Sequence, residues 1–442
     1  MQFRYWIILL FIAGNNRLIS QNWQALDTGL ISSPIGLYSD SAFLYAGLFT
    51  GGPPTPHPLR KWNGSQWDTL GTKCIGQSLQ SVGSMVTYQG KLTAARSCGI
   101  FQWDGNSWLP LATDAGGYLH VLNDTLYATG LFDTIGGIAA SCIAKFDGTS
   151  WSAIDTTKWY GGAIRDAILY QGDLYIGGNV YNWNGTMYNL AKWNGVQWQS
   201  VGGNAMAGGM SSVTCFHIYN NELFIGGAFS VPEGNPGNAI VKWDGTQWDD
   251  VGGGMSSMNA DVLDMVIYNG ELYAVGGFLN AGGVPAKGIA KWDGTKWCGF
   301  GDDYDIGGPL NIEKYQNELY IGGGFRTIDG DTMNYIAKWI GGNYTDTCGT
   351  TGRIDVNDFS SLVDILPNPA TQFITVSTFV KTSELLSITI FSVDGRIMYE
   401  EKAGMQYGEF TRQIDISQYP DGMYFLQVAV GDKMVNKKII KL

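Results

Sequence analysis

The residues best suited to chemistry are few and regularly placed. The 442-residue chain has three histidines. His57 sits in a proline-rich stretch, PPTPHP, and reads as a solvent-facing loop residue. His120 and His217 differ, because each stands six residues before a leucine that recurs in every copy of a repeated string: Leu44, Leu92, Leu126, Leu174, Leu223, Leu272 and Leu319. The residues at that step are Tyr38, Val86, His120, Ile168, His217, Val266 and Glu313. Two positions earlier come Gly36, Ser84, Tyr118, Asp166, Cys215, Asp264 and Asn311. A spacing of two puts both sets on one face of a strand. One reading makes His120, His217, Glu313, Asp166 and Asp264 a polar ring for a ligand, because imidazole and carboxyl groups gathered in a concave site bind polar substrates. The other makes the step a packing slot, marked by Val86, Ile168 and Val266, with its polar members hydrogen-bonded there.

No nucleophile motif accompanies these groups: G-x-S-x-G, HExxH and the P-loop are all missing, so no catalytic residue and no cofactor is expected. Nor is a metal expected. His120, His217 and Glu313 come from the third, fifth and seventh repeats, too widely separated for bonds of about 2.0–2.6 Å to one ion. Arg60, Arg96, Arg165 and Arg326 fall in different repeats, so the arginine cluster that sialidase-like chemistry needs is not formed. Two further binding candidates remain. Arg96 breaks the pattern where the second repeat loses its paired glycines, and Tyr181, Trp183 and Tyr188 occupy a loop of the fourth repeat, where rings can stack on a sugar or simply pack.

The elements that must position these groups come from the repeat itself. KWNGSQW, QWDGNSW, KFDGTSW, KWNGVQW, KWDGTQW, KWDGTKW and a degraded KWIGGNY place Trp62, Trp103, Phe146, Trp193, Trp243, Trp292 and Trp339 at intervals of 41 to 50 residues. Upstream of most lies a string such as ELYAVGGF or ELFIGGAF. Within 261–301, VLDMVIY turns at Asn269-Gly270 into ELYAVGGF, and a longer loop leads to GIAKW. Asp293-Gly294 then turns the chain into a fourth strand around Trp297. Asn-Gly and Asp-Gly are hairpin turns because both residues tolerate positive φ. The two aromatics of each W-D-G-x-x-W unit fall on one face, opposite or diagonal. Periodic aromatics of this kind are core residues rather than exposed sugar platforms.

Four-stranded units of this length predict an all-β chain with a β-propeller over residues 21–344. Seven sets of the first three strands can be counted, but the last unit offers only GNYTDTC as its fourth. The strand around Trp23 precedes all of them, so it is expected to complete the seventh blade and remove an open edge. The loops after each second strand share one mouth with the connections between units. The pattern GGxF…GG…IAKWDG…W resembles Gly-rich bacterial propeller repeats related to kelch and delta-sixty repeats, which implies a fold and no particular activity.

Composition bounds the partners. Sixty-two glycines occur without a Gly-X-Y period, and 45% hydrophobic against 15% charged residues describe a folding chain. A net charge of −12 excludes a phosphate-tracking nucleic-acid binder. Residues 1–20 carry Arg4 and an apolar run from Tyr5 to Ala13, too short to span a bilayer, and read as a signal peptide cut near Ser20. No other stretch reads as a transmembrane segment. Six cysteines without CxxC spacing leave Cys74–Cys98 and Cys298–Cys348 as candidate bridges.

After a polar linker, 345–364, alternating strings FITVSTF, LLSITIFSV, RIMYEE, FTRQIDI, GMYFLQVAV and KKIIKL predict a small antiparallel β-sandwich over 365–442. Leu366-Pro367-Asn368-Pro369, IFSVDGRIMY, DISQYPDGMYFLQV and the ending VNKKIIKL closely resemble the C-terminal sorting domain of type IX secretion cargo in Bacteroidetes. That resemblance implies a sorting signal at Pro367, Asn368, Pro369, Gly395, Gly422, Tyr424, Lys437 and Lys438, and an outer-membrane translocon as partner. It also implies a destination outside the cell, released or attached to the outer surface. The expectation for function is an exported binding or adhesion module for a glycan or protein. The alternatives are a glycan-processing enzyme working at the channel mouth and a purely structural surface protein.

Overall fold

Each repeat opens with a hairpin whose turn is written in its residues. Gln89-Gly90, Asn123-Asp124, Gln171-Gly172, Asn220-Asn221, Asn269-Gly270 and Gln316-Asn317 all carry two successive positive φ angles, between 47° and 88°. That is the mirror-image turn that suits twisted antiparallel strands. The computed structural model describes residues 22–49, 59–71, 81–96, 98–182, 185–203, 212–231, 234–300, 303–341, 363–366, 370–392, 396–431 and 433–441. The expected signal peptide lies outside these residues, as does most of the expected linker.

The chain divides into two units, Met1–Thr350 and Thr351–Leu442. Among the described residues the first contains seven four-stranded antiparallel sheets. Their first strands are Pro34–Ser39, Val82–Tyr88, Tyr118–Leu122, Trp159–Tyr170, Ser212–Tyr219, Asp264–Tyr268 and Pro309–Tyr315. The sixth sheet shows the plan: Asp264–Tyr268, Glu271–Val275, Ile289–Trp292 and Trp297–Gly299 pair in chain order. In the first six sheets the turn before the fourth strand is closed by an acidic or amide side chain. Asp244 Oδ1, for instance, accepts the N–H groups of Thr246 at 2.7 Å and Gln247 at 2.8 Å. Four residues between the aromatics put them directly opposite, as in Trp243↔Trp248. In the first six sheets the paired rings lie 4.7–5.4 Å apart.

The seventh sheet takes its fourth strand from the start of the chain. Trp23–Ala25 pairs with Ile336–Trp339 in the register Trp23↔Trp339, Gln24↔Lys338, Ala25↔Ala337. Apolar side chains fill the spaces between successive sheets rather than one central core. Tyr175 and Leu190 of the fourth sheet pack with Phe216 and Leu223 of the fifth. Tyr315 and Tyr320 of the seventh pack with Leu44 and Trp62 of the first. Cys98 and Cys298 each take part in a separate disulfide, and Cys142 and Cys215 are buried and free. Cys74 and Cys348 lie outside the described residues.

The second unit corrects one expectation. Six short strands in a small antiparallel sandwich were expected, and among the described residues five strands are present, joined in one hydrogen-bond network. Phe373–Ser392 is a single 20-residue strand and Ile397–Asp415 a single 19-residue strand. No Gly or Pro falls within Phe373–Ser392, Gly404 (φ 76°) sits inside Ile397–Asp415, and register shifts at Val380/Glu384, Leu386/Ser387 and Ile390/Phe391 absorb the irregularities without ending either strand. The sheet begins at Val363, two residues before the expected boundary. Ile388, Ile390, Leu426 and Val428 are fully buried in its core. No helix among the described residues is long and apolar enough to cross a membrane.

Candidate functional site

The leucine alignment holds in three dimensions. Tyr38, Val86, His120, Ile168, His217, Val266 and Glu313 each pair with the residue that follows the aligned leucine in the second strand. The first strands carry a further feature that alternation does not foretell. Five of them have a register shift just before the earlier step: Pro34/Gly36, Val82/Ser84, Ile164/Asp166, Val213/Cys215 and Pro309/Asn311. A bulge re-aims its extra residue. Ile35, Gly83, Arg165, Thr214 and Leu310 are those residues, and all five line the same cavity as the residues that follow them.

That cavity has a volume of about 400 Å³ and takes residues from the first strands of all seven sheets. Its titratable lining is Tyr118, His120, Arg165, Asp166, Cys215 and Asp264. Asp166 Oδ1 accepts the N–H of Ala167 at 2.7 Å and Oδ2 accepts that of Phe216, on the next sheet, at 2.6 Å. Asp264 repeats the arrangement, with Met265 N–H at 2.8 Å and Ile312 N–H of the next sheet at 3.0 Å. Burial pushes the Asp166 carboxyl up to about 7 against the pull of these N–H groups, and the charge of Asp264 adds to the rise. Burial likewise pushes Asp264 up to about 7.

His120 lies behind Asp166. Its Nδ1 is 3.3 Å from Asp166 Oδ1, and its Nε2 is 3.0 Å from the Thr129 hydroxyl. Burial holds the imidazole down to about 4, so at neutral pH the contact is a hydrogen bond of a neutral ring. With Asp166 ionised, Nδ1–H donates to the carboxylate and Nε2 accepts from Thr129. Side chains at these steps also tie each sheet to the next. Tyr38 Oη accepts Thr87 N–H, and Ser84 Oγ accepts Leu119 N–H. Thr214 donates to the Val262 carbonyl. From the seventh sheet, Asn311 Nδ2 donates to the Pro34 carbonyl of the first at 3.1 Å.

The other candidates fall elsewhere. His217 and Glu313 keep the register of His120 but do not line the cavity. Burial lowers the His217 pKa and pushes Glu313 up to about 8, and Glu313 Oε1 accepts the Ser39 hydroxyl at 3.2 Å. Arg96 is 3% exposed, lies 4.3 Å over the Trp108 ring, and leaves Nε and Nη2 without a partner. Tyr181 stacks between Tyr160 and Tyr188, 6.0 Å from each, while Trp183 lies outside the described residues. Among the described residues no group of three or more His, Cys, Asp or Glu side chains is placed to hold a metal ion. Sequence reasoning missed Arg165 and Thr214, because period-two alternation turns them away from the cavity. The prolines at Pro34 and Pro309, which cannot donate to a ladder, were the sequence's hint of irregular strand starts.

In the second unit, residues 364–442 match the family described as secretion system C-terminal sorting domain. This segment is a sorting domain. It marks the chain for the type IX secretion machinery and for a place outside the cell, secreted or attached to the outer surface. Within it, Gly422 opens the strand Gly422–Val430, and the buried Tyr424 donates its hydroxyl to the Pro420 carbonyl at 2.8 Å. Lys437 and Lys438 lie in the terminal strand opposite Leu426 and Phe425. Pro367, Asn368, Pro369 and Gly395 lie outside the described residues. No curated protein matches the chain. Among solved structures, the extracellular domain of the two-component system BT4673 from B. thetaiotaomicron matches at TM-score 0.48 and 12% identity, covering 96% of this chain. The chain spans 60% of that domain's length. A glycoside hydrolase family 43 arabinoxylan arabinofuranohydrolase from Bacillus subtilis matches at TM-score 0.20 and 11% identity, covering 81% of this chain and 93% of that one.

Proposed function

We propose that residues 21–344 form a seven-bladed β-propeller, delivered outside the cell by the sorting domain, that binds a ligand at the mouth where its first strands begin. Support for the ring is the run of side-chain bonds and apolar clusters that passes from sheet to sheet and returns from the seventh to the first. The observation that carries the binding reading is the cavity of about 400 Å³ to which all seven first strands contribute. Concave sites of this size with a few convergent polar groups are where ligands bind. Asp166, Asp264, Arg165 and His120 are the binding residues of this reading, and His217 and Glu313 are packing residues at its next level.

A second reading has one specific observation in its favour. Two carboxyl groups held near pKa 7 in one cavity are suited to act as general acid and base on a glycosidic bond. Screening the secreted chain on a glycan array beside a panel of chromogenic glycosides separates the readings. Binding without turnover, lost in Asp264→Asn, supports the binding module. Turnover lost in the same variant supports the enzyme. Neither activity would leave a structural surface protein.

A further inference from the structure

The mouth carries a second feature besides its cavity. Among the described residues of the first unit eight large apolar side chains are more than half exposed, and seven of them sit at this end. Ile31, Met258 and Ile306 lie on connections leading into first strands. Phe49, Leu131, Val231 and Leu279 lie just after second strands. Met258 is 96% exposed, Leu131 72% and Leu279 60%. Val196, the eighth, occupies a turn at the opposite end. A folded domain that gathers its exposed apolar side chains on one face is presenting an interaction surface. The chemistry of this collar selects the partner. Six of the seven are aliphatic or Met; Phe49 adds a ring, and the less exposed Tyr160 and Tyr181 stack on each other, whereas sugar recognition relies on open aromatic faces. Aliphatic and Met side chains fit an apolar protein surface, and Met adapts to its shape.

The centre of the collar is polar. Asp166 and Asp264 are fixed by two backbone N–H groups each and line the cavity. Each carboxylate oxygen can accept more than one bond, so both retain capacity toward the cavity. Arg165 is the sole Lys or Arg in the lining, and it is exposed on the rim. The chain as a whole carries −12, which favours the approach of a cation. Building on the binding reading above, we infer that the mouth docks a polypeptide loop with a lysine or arginine at its tip. The cation enters the cavity toward Asp166 and Asp264, and the loop's apolar flanks rest on the collar. Arginine is among the residues that dominate interface centres, where it fills a desolvated pocket surrounded by contacts that exclude water.

The test uses the secreted chain and a phage library of random cyclic heptapeptides. Recovered sequences are expected to hold Lys or Arg flanked by apolar residues. A synthetic winner should bind at least tenfold more weakly when its lysine is Nε-acetylated, which removes the charge. It should also bind at least tenfold more weakly to the double variant Met258→Ser, Leu279→Ser. Both positions are exposed, so the fold is unaffected, and Val196→Ser at the opposite end should change nothing. Winners without a basic residue, or binding that survives acetylation, overturn the inference. If oligosaccharides bind instead and are lost in Asp264→Asn, the mouth remains the site but this partner is wrong. If neither class binds, both readings fail together.

Discussion

Replacing Trp23 by alanine tests how the two ends of the first unit are joined. Trp23 is 1% exposed, its ring lies 4.9 Å from Trp339 and 6.3 Å from Phe300, and its strand is the fourth of the seventh sheet. A buried tryptophan removes about 200 Å² from water, worth about 5 kcal/mol at ~25 cal/mol per Å². Partial collapse of the space offsets some of that, and truncations of this type cost about 3–5 kcal/mol. Trp23→Ala should therefore lower unfolding stability by about 3–5 kcal/mol in guanidinium titration. Deleting residues 22–26 should cost more, because it strips the pairing edge of Ile336–Trp339 and removes the buried Leu26. Light scattering should then show concentration-dependent self-association through the bared edge. An Ala variant within about 0.5 kcal/mol of the parent, or a monomeric deletion variant, would refute the claim that this strand seals the sheet.

Three other outcomes follow from the same packing. Asp166, Asp264 and Glu313 are raised by burial to about 7, 7 and 8. A carboxyl that holds its proton more tightly when folded contributes stability at low pH and loses it as pH climbs through the folded value. His120 and His217 are lowered by burial and act oppositely, but only below about 6.5. Melting temperature should thus fall between pH 6.5 and 8.5, less steeply in Asp264→Asn, and a rise would contradict the burial of these groups. Arg96→Met should leave stability unchanged or higher by denaturant titration, because it replaces a buried guanidinium lacking partners at Nε and Nη2. A loss above about 2 kcal/mol would mean that the guanidinium is satisfied. Deleting 364–442 should leave a folded first unit that fractionation finds inside the outer membrane, and normal export of that variant would contradict the sorting role.

Much of the architecture was legible because the signals are local. The Asn-Gly and Gln-Gly turns, the opposed tryptophans and the aligned leucines each follow from short-range geometry. The register of His120 with His217 and Glu313 could therefore be read before the fold was described. What could not be read is what a bulge does. Arg165 enters the cavity because one extra residue between Ile164 and Asp166 breaks the alternation, and nothing in the string AIRDAI marks it. Asp166 and Asp264 stand at the earlier of the two steps and line the cavity, while His217, at the later step, does not. In the second unit, the string between Phe379 and Leu385 read as a break, but no turn residue enforces one, and pairing with Ile397–Asp415 continues on either side of the shift.

In the proposed reading the mouth cavity, and not the next level of the first strands, is the binding site. Calorimetric titration of the ligand recovered from the glycan or peptide screen tests it directly, using the parent chain, Asp264→Asn and His217→Val. Val occupies the His217 step in two sister sheets, at Val86 and Val266, so that variant keeps its packing. Affinity should fall at least tenfold in Asp264→Asn and stay unchanged in His217→Val. Affinity that survives Asp264→Asn and disappears in His217→Val would contradict this reading.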